Sequence, residues 1–336
     1  MKAVVVNENG GPDKLVLTEI DAPEPAAGQL QIAVQTAGAN YLDIYQRNGA
    51  LPAPFVAGVE GVGRVGKVGP GVDPEWVGRR VGWPVGQRSF AETIVLDEAR
   101  VVAISDDIGT DDAVALLMQG LAAHYLATSA YAIGKDSTVL VHSAAGGVGR
   151  LLTQLAHHLG ATVIATASTP EKRRIAVDSG ADHAIGYENF AAAVEEITEG
   201  RGVDVIYDGV GADTVAEDLQ SLAVRGTLVV IGAASGPPPA IEFAALAAKS
   251  LTVTRPSVAH FTARPGELAA RAEDVFGWVG EGAIATTIAG RYPLAQVARA
   301  QQDQASRSLA GKLLVDVVGR NRADRAPRTT DHSFAK

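Results

Sequence analysis

The chain has 336 residues, 47% of them apolar and 20% charged, with a formal net charge of −9. That length exceeds what one hydrophobic core usually organises, so two domains are expected. The acidic balance argues against a nucleic-acid scaffold, which needs a basic face for phosphate, and the absence of cysteine removes disulfides, thiolate nucleophiles and cysteine-ligated zinc together.

The N-terminal MKAVVVNENG carries one positive side chain and only a short apolar run, unlike a signal peptide. In the sequence no stretch reads as the roughly 20 apolar residues that span a bilayer. A soluble, cytoplasmic protein without membrane contact is expected. KAVVV, KLVLTEI and QLQIAVQTAG are short, β-branched and separated by Gly, Pro and acidic turns, so they read as strands. Gly58 to Val72 alternates glycine with valine, which suggests bulges and close backbone approach. GRRVGWP and SFAETIVL continue a small, curled β unit.

At Thr110 the pattern turns helical. Strand candidates then begin near Thr138, Ala161, Asp182, Val203, Gly226 and Ser250, spaced 23, 21, 21, 23 and 24 residues apart with helical segments in most intervals. This alternation predicts right-handed crossovers and a doubly wound parallel sheet, an α/β fold. Past Pro256, ELAARAEDVFGWV and LAQVARAQQ look helical, TTIAGRYPL and KLLVDVV extended. These are assigned back to the first domain, giving 1–120 plus 258–318 around 121–257. The polar stretch 319–336 reads as a frayed terminus.

The strongest motif spans 137–168, where Val139–Val141 lead into a turn with Gly146, Gly147 and Gly149, then a helix with Val148, Leu151, Leu152 and Leu155 on one face, then a second strand. Glycines admit a pyrophosphate to the backbone and the helix start gives it free amides, so a dinucleotide is expected here. NAD sites usually place an acid at the end of the second strand. This chain has Ala167-Ser168-Thr169 there, followed by Lys172, Arg173 and Arg174, which suit a 2′-phosphate. Ser168 and Glu171 also have capping-box spacing, which would occupy that carboxylate locally. NADPH is the expected cofactor.

The segments AGANYLDIYQRNG, GVEGVGRVGKVG, MQGLAAHYL, HSAAGGVG, GADHAIGY, VDVIYDGVG, TRPSV and SRSLAGKLLV together resemble the zinc-free, zeta-crystallin-like quinone oxidoreductases of the medium-chain dehydrogenase/reductase superfamily. The resemblance implies a GroES-like, mostly β substrate domain around an inserted Rossmann domain, NADPH in the cleft, and a homodimer through the Rossmann sheet edge. It further implies Asn40 and Tyr45 near nicotinamide and substrate. Ser168, Lys172 and Tyr187 would hold the adenosine phosphate end, with Arg307 reaching back. Gly232, Ala233, Ala234 and Ser235 would run beside the nicotinamide.

Where zinc-dependent relatives carry Gly-His-Glu, this chain has Gly58-Val59-Glu60, and its seven histidines show no ligand spacing with acids. No metal is expected. An alcohol would then lack a Lewis acid, whereas a quinone or activated alkene already accepts hydride by delocalisation. Reduction of a quinone is the primary reading, with protons from water or a nearby hydroxyl; the resemblance points to Tyr45 for the latter, and its ring also reads as packing under the cofactor. An enoyl thioester or enone is the alternative substrate, and a non-catalytic NADPH-binding or RNA-binding role the alternative class. Asn40 also reads as a helix cap, Asp43 and Glu60 as structural, and Asp208 as stabilising the turn after its strand. Trp83 lines the substrate mouth or the core, and Arg47 binds phosphate or faces solvent.

Overall fold

The computed structural model describes residues 1–318, so the expected tail at 319–336 lies outside the described residues. The β-branched runs pair as their alternation predicts. Strands β1 (Lys2–Val6), β2 (Leu15–Glu19) and β4 (Phe55–Val56) make a three-stranded sheet. Strands β3 (Gln29–Ala39), β5 (Glu60–Val68), β6 (Arg80–Trp83), β7 (Thr93–Asp97) and β8 (Val102–Ala103) build most of a seven-stranded sheet. Helix α1 (Tyr41–Tyr45) follows β3 directly. Register shifts interrupt the β3–β5 ladder at Gln31/Ile32 and Val34/Thr36. There the glycines of β5 let the strands close up: a Cβ on Gly63 would overlap the Ala33 carbonyl.

Helix α2 (Thr110–Tyr125) leads into the second unit, which alternates β9 (Thr138–Val141), α3 (Gly147–His158), β10 (Thr162–Thr166), α4 (Pro170–Asp178), β11 (His183–Ile185), α5 (Phe190–Ile197), β12 (Val203–Asp208), α6 (Val215–Ser221), β13 (Leu222–Val230), α7 (Phe243–Ala247) and β14 (Thr252–Thr254). All six strands pair parallel in the order β11-β10-β9-β12-β13-β14. The strand order reverses between β9 and β12, which opens a crevice at the strand carboxyl ends, where ligands of such sheets sit. The fifth strand starts at Leu222, four residues ahead of Gly226.

The chain returns through α8 (Glu267–Gly280), β15 (Ile288–Pro293), α9 (Val297–Ser306) and β16 (Lys312–Asp316). β16 pairs with β3 and β15 with β16, which closes the first sheet. Helix α8 packs mainly on α2 and also meets β8 of the first sheet. Its Leu268, Ala272 and Val275 share one apolar cluster with Leu116 and Leu121 of α2 and with Val139, Val163 and Val205 of the parallel sheet. Tyr125 stacks on Phe261 at 4.7 Å, and His124 faces Trp278 at 5.2 Å. The same cluster takes Val62, Val102 and Leu314 from the first sheet, so α2 lies in a core common to both units and the expected boundary at residue 120 falls inside it. The run Thr110–Ala130 is in fact long and apolar enough to cross a membrane by composition, but 67% of its most apolar window is buried inside the protein.

Candidate functional site: the crevice at the Gly-rich turn

Ser143, just past β9, adopts a left-handed backbone with φ of 53°. Its amide donates to the Tyr187 hydroxyl at 2.9 Å, and its carbonyl accepts from Gly146 at 2.8 Å. The chain thereby reverses within four residues and enters α3 at Gly147, with no side chain capping the helix start. The amides of Gly147, Val148 and Gly149 therefore belong to the turn whose N–H groups have no helical acceptor, at the positive end of the dipole. A Cβ on Gly149 would overlap the Ser143 carbonyl and lie 3.0 Å from the Ala144 Cα. These residues fit a dinucleotide pyrophosphate. Gly147 has a second reason to be glycine, because a Cβ there would overlap the Gln119 carboxamide.

The residues expected at the adenosine side lie beyond β10. Helix α4 is capped by Thr169, whose hydroxyl accepts from the Lys172 amide at 3.2 Å, so the capping residue is Thr169 and not Ser168 as the spacing suggested. Ser168 is left exposed at the strand end. Glu171 is held below the usual carboxylate range by its own backbone amide and the Thr169 hydroxyl, so its charge is satisfied locally. The Lys172 ammonium donates to the Arg307 carbonyl at 2.5 Å, joining α4 to the left-handed residue that ends α9. Lys172 and Arg307 thus touch each other directly, while Tyr187 stands at the Gly-rich turn through Ser143. The Tyr187 ring also stacks on His142 at 5.8 Å.

At the other end, Asn40 is 6% exposed and its carboxamide is spent inside the protein. Its Nδ2 donates to Glu60 at 2.8 Å and its Oδ1 accepts from the Lys312 ammonium at 2.8 Å. Lys312 also pairs with Glu60, whose other oxygen accepts from the Met118 amide of α2 at 2.9 Å. Asn40 also caps α1, its amide donating to Asp43 at 2.7 Å. Its placement therefore answers to the helix-cap reading, with Glu60 and Lys312 as partners in place of a ligand. Burial pushes the Asp43 carboxyl up to about 7, against the opposing pull of the Asn40 amide and Lys312. Tyr45 is 37% exposed and offers its ring outward beside Tyr41, 6.3 Å away. Arg47 faces neither solvent nor, among the described residues, a carboxylate within ion-pair distance: it is 5% exposed, and its guanidinium reaches Asn48 at 3.3 Å. Trp83 is core, its indole donating to Ser89 at 2.8 Å.

The loop 232–235 is zipped to the turn after β12. Gly232, Ala234 and Ser235 donate their amides to the carbonyls of Asp208, Gly209 and Val210. Asp208 accepts from Val210, Gly211 and the Thr214 hydroxyl, the turn-stabilising role its position suggested. Beneath the crevice, His142, Asp208 and Asp218 hold ligand-type atoms within 4.8 Å of one another, the one such trio among the described residues. His142 contacts Asp218 and Thr166 at 2.7 Å each and Asp208 is held by its turn, while the second Asp218 oxygen, Oδ2, has no hydrogen-bond partner. Burial, reinforced by Asp208 and opposed by His142, pushes Asp218 up to about 6. The trio is sealed from solvent, whereas catalytic zinc keeps a position open to water or substrate.

Residues 26–135 match the alcohol dehydrogenase GroES-like domain and residues 147–272 the zinc-binding dehydrogenase family. A quinone oxidoreductase of Pseudomonas aeruginosa is 38% identical over 313 residues, 91% of this chain and 96% of that protein. The chain belongs to the zinc-free quinone oxidoreductase branch of the medium-chain dehydrogenase/reductase superfamily. A 2-haloacrylate reductase from a Burkholderia species is 34% identical over 330 residues, covering 93% and 98% of the two chains. A mycobacterial protein solved in complex with NADPH superposes with a TM-score of 0.91 at 42% identity, over 94% of this chain and all of that one. The architecture is accordingly a GroES-like domain carrying an inserted Rossmann domain.

Sequence reasoning missed Lys312 and Gln119. Lys312 opens an apolar run, where a lysine reads as a strand end at the surface. Gln119 looks like one polar position on an apolar helix.

Proposed function

We propose that this chain is an NADPH-dependent quinone reductase that works without a metal ion. The observation that carries the reading is the pairing of an uncapped helix start at Gly147–Gly149 with an acid-free, basic strand end at Ser168 and Lys172. When bound, NADPH supplies a hydride, both electrons together. The Gly147, Val148 and Gly149 amides bind the pyrophosphate, and Ser168, Lys172, Tyr187 and Arg307 hold the 2′-phosphate. The buried Asn40–Glu60–Lys312 network fixes α1, so that Tyr45 presents its hydroxyl to the acceptor and passes it a proton, which water replaces. The names of the Pseudomonas and mycobacterial relatives support cofactor and acceptor class. Metal independence is supported by the missing cysteines and by the burial of the His142 trio, which no substrate reaches. The reading also carries a cytoplasmic homodimer joined at the β14 edge, with no nucleic-acid or membrane partner.

A second reading, reduction of an activated alkene, is favoured by the Burkholderia relative that is named for a haloacrylate. The test is steady-state oxidation of NADPH and of NADH with a benzoquinone, 2-chloroacrylate and crotonyl-CoA, in the presence of chelator. Turnover with NADPH and quinone is expected. Turnover with an alkene alone transfers the function to the second reading, and none with any acceptor leaves a cofactor-binding protein.

A further inference from the structure

Gln119 lies on the face of α2 that meets the first turn of α3, close enough that a Cβ on Gly147 would overlap its carboxamide. It is half-buried, yet among the described residues its side chain makes no hydrogen bond, although a carboxamide brings two donors and an acceptor. Its carboxamide faces the first turn of α3, where the Gly147–Gly149 amides also lack helical acceptors, so both can serve one bound group. The helix that carries it is pinned from the substrate side, because the neighbouring Met118 amide donates to Glu60, which pairs with Lys312. Gln119, Lys312 and Thr287 line one small cleft with Gly147, between the two units. The adenosine-side groups Ser168 and Lys172 follow β10 instead.

We propose that Gln119 is a cofactor-positioning residue that hydrogen-bonds the nicotinamide-side ribose phosphate of the dinucleotide. The inference rests on the NADPH reading above. Through Met118 and Glu60 it gives the α1 network a mechanical link to the bound cofactor, so the hydride donor and Tyr45 are placed by one connected set of contacts.

The test is binding rather than turnover: calorimetric titration of the full chain with NADPH and with 2′,5′-ADP, which lacks the nicotinamide half. Gln119→Leu is expected to raise the NADPH Kd about tenfold, the size of one lost hydrogen bond to a charged group, and to leave 2′,5′-ADP within about twofold. Gly147→Ala, whose Cβ would push the flexible carboxamide aside, is expected to give a shift that is not additive with Gln119→Leu. An unchanged NADPH Kd in Gln119→Leu overturns the proposal. So does equal weakening of both ligands, with or without a lowered melting temperature, because the side chain then acts through packing. Wild-type protein that binds neither ligand removes the NADPH reading itself, an outcome distinct from a silent Gln119.

Discussion

Lys312 and Glu60 form an ion pair with almost no solvent contact, their side chains 1% and 0% exposed. Such a pair balances desolvation against attraction, and losing one partner strands the other. Lys312→Met is expected to destabilise the protein by about 3–5 kcal/mol, and Lys312→Met with Glu60→Gln to recover part of that loss. Urea denaturation of both variants reads the difference. Equal stability of the single variant and wild type would show that Glu60 finds another partner.

Asp43 titrates in the fold near 7, far above the roughly 3.9 of an unfolded aspartate. The folded state thus holds a proton that the unfolded state has lost, and Asp43's contribution to stability is full below about pH 4 and disappears as pH rises towards 7. Asp43→Asn keeps an oxygen for the Asn40 amide and does not titrate. The melting temperature of wild type minus that of Asp43→Asn is expected to fall across this window and level off above it. A flat difference would refute the raised carboxyl.

Lys172→Ala is expected to weaken NADPH use by about 10–100-fold in kcat/KM, the scale of a lost charged hydrogen bond, while NADH use stays within a small factor. Equal losses for both cofactors would place the lysine outside the phosphate site.

Gly149→Ala sets a methyl against backbone, not a movable side chain. It is expected to cost about 1–3 kcal/mol of stability and to weaken NADPH binding, read by thermal melting and titration. A wild-type melting temperature with intact binding would show that the turn yields.

Tyr45→Phe is expected to lower kcat for quinone about 100-fold or more, the lower reach of proton transfer by a positioned group, with the NADPH Kd unchanged. A steady kcat would pass the proton donation to water.

The parallel sheet was legible because its apolar strands recur at nearly constant spacing, and the Gly-rich turn because β9, glycines and α3 follow one another in the chain. Helix α8 has an apolar stripe that reads the same whichever unit it covers, and its packing on α2 places it in the core common to both. Ser168 and Thr169 are adjacent capping residues, and the local backbone chose the second. The Asn40 network was invisible for another reason. It joins β3, β5 and β16, with Lys312 located 272 residues from Asn40, and no periodicity reports a contact of that range.

The Lys172–Arg307 contact has a bearing on any retargeting of this scaffold towards NADH. The side chain that would be replaced to abandon the 2′-phosphate also staples the two halves of the molecule across 135 residues of sequence. Redesign at that position would therefore loosen the seam unless a new donor reached the Arg307 carbonyl. Cofactor preference and the mutual alignment of the halves are inherited together.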